Sequence, residues 1–327
     1  MTAFRIGIDE NGLGARLGPL VVTGVLARVD ERGKRLLGRK LPQRLRQDLD
    51  DSKRLVSCHD YSLGEAWARA LTPTPYSSPA ELFEELSLEG TPALRQPCPT
   101  TAAETQCWNT TGESFQADEE LLARVREHVV YLRGRGVELC LVRSSVLCTH
   151  RLNEQKAAGI NRFAADLHAM ERLLLHLRER AGADVHGVCG KVGGIADYPR
   201  FFGPLAGRLH VTLEEGRKAS TYRFPELGEV SFVRDADASD ALVMLASLVG
   251  KYVRELLMSR IARHYTSEDL PSGYHDPVTA RFVERSAPLR EARRLPIVCF
   301  ERLPDESGAG APRKQRKALD TKQTALF

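Results

Sequence analysis

The order of the apolar segments in this 327-residue sequence predicts an α/β fold with a mixed central sheet flanked by helices. Phe4 to Asp9 alternates between apolar and polar residues, as a strand does, and Leu20 to Ala27 is its apolar partner. After this hairpin, strand-like and helix-like segments alternate along the chain. Such alternation is typical of a layered α/β domain.

The segments after the hairpin each have a recognisable pattern. The short apolar runs "VELCLV" from Val137, "DVHGVCG", "RLHVTL" and "EVSFV" predict strands. Asn161 to Arg180 predicts an amphipathic helix, and its apolar face comprises Phe163, Leu167, Met170 and Leu174. A long helix is predicted from about Ala238 to His264, with a buried stripe of Leu242, Leu245, Val249, Val253 and Leu256.

We expect one domain over residues 1–303 and a tail over residues 304–327. From about residue 62 to 119, the segments "TPTPYSSP", "GTPALRQPCPTT" and "NTTGES" break any long element, so this region is expected to be an irregular insertion. The tail is basic and lacks the apolar residues that a core requires, so it is expected to be disordered.

The composition is that of an ordinary globular protein, with 42% hydrophobic and 28% charged residues. The net charge of +4 permits a polyanionic partner without requiring one. No apolar run reaches about 18 residues, and the N-terminus lacks the layout of a signal peptide, so we expect no membrane span and no export. Seven cysteines without any C-x-x-C spacing predict reduced thiols in the cytoplasm and no structural zinc.

Two adjacent carboxylates, Asp9 and Glu10, lie where the first strand ends. In a strand, Glu10 shares a face with the apolar residues and Asp9 points to the other face. Gly12 and Gly14 follow, and glycine lets backbone N–H groups come close to a phosphate or a sugar. Taken alone, the segment is better described as an acidic hairpin corner, because turns use the same residue types.

Three further segments change this interpretation. "GIDENGLGARLGPLVV" resembles the "GIDEAGRGPLAGPVV"-type signature of ribonuclease HII, the type 2 family of ribonuclease H. "LDDSKRL", "ADASDALVMLASLVGKYVRE" and "SGYHD" then resemble later segments of that family, in the same order. The resemblance implies a ribonuclease H-like fold and a metal-dependent endonuclease. Its substrate would be RNA in RNA–DNA hybrids or ribonucleotides embedded in duplex DNA.

The resemblance also implies the catalytic carboxylates. Asp9 and Glu10 match the first two of the family's four acidic positions, and Asp237 matches the fourth. Together they would hold Mg²⁺ or Mn²⁺, since hard divalent ions prefer oxygen ligands and can activate water and stabilise the leaving oxygen. Asp237 is expected at the start of the long helix, where the helix dipole favours its ionised form. The alternative is a plain helix cap, with Asp235 and Asp240 as ordinary first-turn acids.

The third acidic position departs from the family pattern. The corresponding segment is "GVCGKVGG", which places Gly190 or Cys189 where the family has a carboxylate. A relocated acid at Asp235, Asp240 or Asp276 could restore a ligand, and the sequence does not select among them. The alternative function is therefore a catalytically inactive nucleic-acid-binding relative.

The resemblance implies a larger set of substrate contacts. The glycines would reach the 2′-hydroxyl through their backbone, Leu13 stands where the family has a basic residue, and Tyr274 would stack on a deoxyribose. The substrate-binding set comprises Gly12, Leu13, Gly14, Ser52, Lys53, Lys251, Arg254 and Tyr274. The segment "EGRKASTYR" offers a further backbone track through Arg217, Lys218, Ser220 and Tyr222, although a solvated charge run explains its first two residues equally well.

The chain ends in "QTALF", which resembles the Q-x-x-L-F peptide by which bacterial proteins bind the replicative sliding clamp. An anchoring Gln323 and the apolar Leu326 and Phe327 fit the docking of an extended peptide into a pocket. The alternative is an unconstrained terminus.

Overall fold

The computed structural model describes residues 2–72, 74–99, 105–192, 195–267 and 269–304. Within these ranges the strands are β1 (Ala3–Asn11), β2 (Leu20–Val29), β3 (Val137–Leu147), β4 (Val185–Gly190), β5 (Val211–Glu215), β6 (Ala219–Phe224) and β7 (Gly228–Val233). The α-helices are α1 (Glu31–Leu37), α2 (Gln43–Arg46), α3 (Ser52–Leu55), α4 (Ser62–Leu71), α5 (Pro79–Leu86), α6 (Gly90–Arg95), α7 (Glu119–Gly134), α8 (Thr149–Ala157), α9 (Arg162–Ala181), α10 (Ala241–His264), α11 (Pro277–Ala292) and α12 (Ile297–Phe300). Two single 3₁₀ turns cover Pro199–Phe201 and Ala236–Ala238.

The strands form one sheet in the order β3-β2-β1-β4-β7-β6-β5. The first three strands pair antiparallel, as the predicted hairpin requires, with Phe4 opposite Arg28 and Asp9 opposite Thr23. Strand β4 pairs parallel with β1 and β7, and β7, β6 and β5 pair antiparallel. This mixed central sheet flanked by helices confirms the predicted α/β fold class.

Helices α9 and α10 cover opposite faces of the sheet, and alternate residues of β2 face each of them. Val21 and Val25 belong to the core on the α10 side, whereas Val22 and Leu26 belong to the core on the α9 side. A Cβ atom on Gly7 would lie 2.3 Å from a backbone carbon of α10, so only glycine permits this close approach. The cleft described below lies where β1 ends between these two layers.

Residues 62–119 are more ordered than the sequence predicts. Three short helices, α4, α5 and α6, lie in this segment, and their apolar residues join the core on the α10 side. Trp67 is fully buried, and its indole N–H donates to the carbonyl of Asp48 at 2.6 Å. The prolines that indicate irregular structure lie partly at helix starts: Pro79 occupies the first turn of α5, with Ser78 as its N-cap.

The long helix begins later than predicted, at Ala241, and Asp237 lies in the 3₁₀ turn before it. The N-cap is Asp240, whose side chain accepts from the backbone N–H groups of Leu242 and Val243. The prediction that Asp237 lies at the helix start is therefore wrong, and the helix N-terminus acts on Asp240 instead.

No helix in the described ranges is long and apolar enough to cross a bilayer. The predicted tail from residue 305 onward, including Gln323, Leu326 and Phe327, lies outside the described residues.

Candidate active site

A cavity of about 240 Å³ opens at the end of β1, where the chain leaves the sheet. It gathers the three predicted catalytic acids and every predicted substrate-binding residue except Arg254. Its lining comprises Asp9, Glu10, Asn11, Gly12, Leu13, Gly14, Ser52, Lys53, Asp237, Ser247, Lys251 and Tyr274. These residues come from four distant parts of the sequence, which the fold brings to one place.

Asp9 lies on the α10 side of the cavity and is almost fully buried. Burial, and then the charge of Glu10, raise the pKa of Asp9 well above its ordinary value, while a hydrogen bond from the Ser247 hydroxyl opposes that shift. Ser247 also contacts the Ser52 hydroxyl at 2.9 Å. Ser247 therefore links the first acid to helix α3, and the sequence interpretation did not include it among the site residues.

Glu10 is half-buried, and its pKa is raised from 4.5 to about 8. The largest cause is burial, and the second is the negative charge of Asp166 on α9. The charge of Asp237 raises the pKa of both Asp9 and Glu10. The cavity thus brings three mutually repelling carboxyl groups together at the end of β1.

Asp237 forms an ion pair with Lys53, whose Nζ lies 2.9 Å from Oδ2 of Asp237. The lysine is 77% exposed and the aspartate only 20%, so an exposed cation covers a half-buried acid. The hydrogen bond to Asp237 is the main cause that raises the pKa of Lys53. The predicted phosphate-binding lysine and the predicted fourth acid are therefore direct partners.

The loop that contains Gly12 and Gly14 is held from two sides. Arg302 donates to the carbonyl of Gly12 at 2.6 Å and to that of Gly18 at 2.9 Å, and the backbone N–H of Leu17 donates to the carbonyl of Gly273. Arg302 was not identified from the sequence, because it lies at the end of the domain with no recognisable motif around it. It fixes the loop without lining the cavity.

Arg254 and Lys251 lie one turn apart on α10 and have different surroundings. Arg254 is 1% exposed and donates to Glu255 at 3.0 Å and to the carbonyl of Ser272 at 2.8 Å. Its guanidinium lies over the ring of Tyr274, 5.0 Å from the ring centre. Arg254 therefore positions the tyrosine from behind, whereas Lys251 lines the cavity and pairs with Glu255 at 3.3 Å.

The neighbouring strand distinguishes between the two candidates for the missing acid. Cys189 lies opposite Ile8 and is fully buried in the core under α9. A Cβ atom on Gly190 would instead lie 2.9 Å from Oδ1 of Asp9 and 3.2 Å from Oε2 of Glu10. Gly190 is thus the position that faces the carboxylates, and it brings no ligand of its own.

The three acids considered as relocated ligands have other roles. Asp240 caps α10 and pairs with Arg5 at 3.0 Å, Asp276 caps α11, and the Asp235 side chain is 78% exposed beside Arg234. None of the three lines the cavity.

Asp166 is an acid that the sequence interpretation missed; it does not line the cavity, but its charge acts on Glu10. It lies on α9 with no exposed surface, and burial raises its pKa well above the ordinary value, followed by the charge of Asp9. Neither of its carboxylate oxygens has a hydrogen-bond partner among the described residues. The spacing of Asp166 in the sequence could have identified it. Asp166 follows Phe163 by three positions and precedes Met170 by four, so it lies on the apolar face of the predicted helix.

The segment "EGRKASTYR" has two buried side chains and four exposed ones. Ser220 and Tyr222 are fully buried, and Ser220 accepts from the Nζ of Lys191 at 2.8 Å. The prediction that these two side chains belong to a backbone track is therefore wrong, whereas the other two predicted residues, Arg217 and Lys218, are exposed.

A larger cavity of about 600 Å³ lies beside the site. Its lining includes Ala238 and Ser239, which directly follow Asp237, and the cationic side chains Arg39, Lys40, Arg46 and Arg54. The last two arginines lie within 3.7 Å and 3.5 Å of Asp50, while Arg39 and Lys40 are exposed. This cavity provides positive charge next to the acidic one.

Among the described residues, no three Asp, Glu, His or Cys side chains are arranged as a ready metal site. The acidic cluster nevertheless fits a divalent cation in two respects. Carboxylate oxygen is the donor that Mg²⁺ and Mn²⁺ prefer. In addition, the raised pKa values of Asp9, Glu10 and Asp166 reflect repulsion and burial that a cation would relieve.

No sequence profile of a protein family and no curated protein matches this chain. Solved structures do match it. The ribonuclease HII from Archaeoglobus fulgidus in complex with PCNA is 17% identical over 99% of this chain and 98% of that one, with a TM-score of 0.40. The Bst ribonuclease HIII in complex with Mn²⁺ is 13% identical over 92% of this chain and 66% of that one, with a TM-score of 0.45. The ribonuclease H2 from Pyrococcus horikoshii OT3 is 14% identical over 91% and 92%, with a TM-score of 0.42. At these identities and scores, the matches carry no conclusion about activity.

Proposed function

We propose that this protein is a divalent-metal-dependent endonuclease of the ribonuclease HII type. Its substrate would be RNA in RNA–DNA hybrids or ribonucleotides embedded in duplex DNA. The observation that carries the proposal is the convergence of Asp9, Glu10 and Asp237 with the Gly12–Gly14 loop in one cavity. In the family that the sequence resembles, the active site likewise combines these acids with the glycine-rich loop.

The carboxylates would hold Mg²⁺ or Mn²⁺, which when bound activates water and stabilises charge on the leaving oxygen. Asp9 and Glu10 lie at the end of a central strand, where both pair with β2 and the preceding Ile8 pairs with β4, so the sheet holds their backbone in place. Ser247 orients Asp9, and burial of the acids strengthens their interaction with any cation that enters. The protein thus holds the carboxylates in place before a cation binds, so that binding requires little rearrangement of the site.

Recognition of the substrate would use the rim of the cavity. Gly14 has no atom within 4 Å of where its Cβ would be, so its backbone is open to a sugar–phosphate chain. Tyr274 is 38% exposed, and Arg254 holds its ring at the cavity edge, where it can stack on a sugar or a base. Lys251 and Lys53 supply positive charge for phosphates.

The proposal is tested with three duplexes: DNA with one embedded ribonucleotide, an RNA strand paired with DNA, and DNA alone. Each is incubated with Mg²⁺ or Mn²⁺ and the native protein, with Asp9→Asn as the matched control. We expect cleavage of one or both ribonucleotide-containing duplexes by the native protein only. Cleavage of all-DNA duplex at the same rate would contradict the proposed substrate class.

One observation favours the second candidate, a catalytically inactive nucleic-acid-binding relative. Gly190 offers no carboxylate where it faces Asp9 and Glu10, and the Asp237 carboxylate is already paired with Lys53. On this account the native protein binds the duplexes in a fluorescence anisotropy titration without cutting them. Cleavage that Asp9→Asn abolishes would eliminate this candidate.

We further propose that the C-terminal "QTALF" tethers the protein to the sliding clamp, which raises its local concentration at DNA without new DNA contacts. The Archaeoglobus fulgidus structure named above contains a ribonuclease HII with PCNA. Deletion of residues 323–327 is expected to abolish binding to an immobilised clamp. A variant with the same five residues in a different order serves as the control, and unchanged binding by the deletion variant would end this proposal.

The proposed location is the cytoplasm. All seven cysteines are free in the structure, which agrees with the reduced thiols that the sequence predicts.

A further inference from the structure

Asp166 differs from the other buried acids of this protein in having no compensation. Glu65 accepts two backbone N–H groups at 2.9 and 3.1 Å, and Glu171 accepts two at 3.0 and 2.8 Å. Asp48 pairs with Arg124 and His128. Asp166 is 0% exposed, and both of its oxygens lack a hydrogen-bond partner among the described residues. A buried polar group without any partner is rare in a folded protein and usually marks a missing ion, a missing water or a functional role.

The position of Asp166 indicates which role applies. It lies on α9, the helix that covers the Ile6 and Ile8 face of β1, and Glu10 continues that face at the end of the strand. The charge of Asp166 acts on Glu10 and on the buried thiol of Cys189, and Asp9 in turn acts on Asp166. Its carboxylate therefore belongs to the same electrostatic cluster as the two strand acids.

Gly190 explains why a carboxylate from α9 would be needed. The end of β4 faces Asp9 and Glu10, since a Cβ atom on Gly190 would lie 2.9 Å from Oδ1 of Asp9 and 3.2 Å from Oε2 of Glu10. This strand position carries no side chain, and the neighbouring Cys189 points into the core. On α9, the helix that packs against this part of the sheet, Asp166 is an acid whose charge acts on Glu10.

We propose that Asp166 supplies to the metal site the carboxylate that strand β4 lacks at Gly190. The site would then consist of Asp9, Glu10, Asp166 and Asp237, with the third acid donated by a helix beneath the sheet instead of by the strand. The inference deepens the proposed function and rests on its metal site, although it does not require that the protein cut nucleic acid. A divalent cation would compensate the buried charge that no protein group compensates.

The inference is tested by Mn²⁺ binding to the full chain without nucleic acid, measured by calorimetry and by the electron paramagnetic resonance signal of free Mn²⁺. Asp166→Asn keeps the shape of the side chain and removes its charge. Glu171→Gln is the matched control, because it neutralises another buried acid on the same helix that does not act on Asp9 or Glu10. We expect Asp166→Asn to weaken Mn²⁺ binding roughly tenfold or more and Glu171→Gln to leave it unchanged.

A position swap provides the second arm. The double variant Asp166→Asn/Gly190→Asp returns the carboxylate to the strand and is expected to recover most of the Mn²⁺ affinity. The new side chain at Gly190 meets only the tips of Asp9 and Glu10, which can move. Gly190→Ala in the Asp166→Asn background controls for the added volume and should recover nothing. Melting curves in EDTA establish that each variant is folded, and Asp166→Ala replaces Asp166→Asn if the latter is not.

The outcomes separate this inference from the proposed function. Mn²⁺ binding that depends on Asp166, in a protein that cuts no duplex, would support the inference and refute the nuclease. If the native protein cleaves the duplexes and Asp166→Asn binds Mn²⁺ with an affinity within twofold of the native value, the inference would be refuted and the nuclease supported. Absence of Mn²⁺ binding by the native protein would overturn the inference.

Discussion

Two glycines of the same loop are predicted to respond oppositely to alanine. Gly12 has a φ of +91°, and its Cβ would lie 2.4 Å from Nε of Arg254 and 2.9 Å from the carbonyl oxygen of Pro19. Arg254 cannot move aside, because its guanidinium is held by Glu255 and by the carbonyl of Ser272. Gly14 has no atom within 4 Å of its Cβ position and no left-handed backbone.

The magnitudes follow from these contacts. For Gly12→Ala, the left-handed backbone costs about 1–2 kcal/mol and the overpacking about 1–3 kcal/mol, so the free energy of unfolding should fall by about 2–5 kcal/mol. Gly14→Ala should change stability by no more than about 0.5 kcal/mol, because it creates no contact. Its effect should appear in the affinity for an RNA–DNA duplex, since the added methyl group stands where the backbone would meet the sugar–phosphate chain.

The two variants are compared by urea denaturation, followed through the fluorescence of the two tryptophans, and by anisotropy titration with a labelled hybrid. We expect the urea midpoint of Gly12→Ala to fall clearly and that of Gly14→Ala to match the native protein. Equal urea midpoints for the two variants would refute the steric argument. Native affinity in Gly14→Ala would refute the assigned backbone contact.

Three further predictions concern charge. In EDTA, the folded protein holds a proton on Glu10, whose pKa of about 8 lies above the unfolded 4.5, so stability should fall as pH rises from about 5 to 8. Glu10→Gln should reduce that fall by a few kcal/mol in urea melts, since each pKa unit corresponds to about 1.4 kcal/mol, and an unchanged pH slope would contradict it. Lys53→Met should hardly alter the urea midpoint, because the ion pair is exposed on the lysine side, yet it should strengthen Mn²⁺ binding by freeing Asp237; weaker binding would be the contrary result. Arg39→Ala/Lys40→Ala should lower the slope of log K against log salt for duplex binding by up to about 2, and an unchanged slope would show that the larger cavity does not contact phosphates.

Local patterns in the sequence predicted the parts of the fold that depend on local interactions. The β1–β2 hairpin was predicted from the alternation in its first strand and the apolar run of its second, and the helix predicted from Asn161 is α9 with Asn161 as its N-cap. The three short helices in residues 62–119 were missed, because each is too short to show a clear period and the prolines around them also indicate loops. Their helical structure depends on packing against α10 and β3, which no local pattern reveals.

The candidate site divides in the same way. Asp9, Glu10 and Asp237 belong to recognisable segments, and the fold brings them to one cavity. Asp166 and Arg302 act through long-range contacts: one lies under the sheet, and the other reaches back to the first loop from the end of the domain. Neither is surrounded by a motif, so only the three-dimensional structure connects them with the site.

We propose that the cavity at the end of β1 hydrolyses a phosphodiester bond beside a ribonucleotide. The most direct measurement is the single-turnover cleavage rate of a DNA duplex with one embedded ribonucleotide, in Mn²⁺, for the native protein and for Asp9→Asn. We expect the native protein to cut at the ribonucleotide and Asp9→Asn to be slower by roughly a hundredfold or more. Equal rates for the two proteins, or no cleavage by the native protein, would contradict the claim.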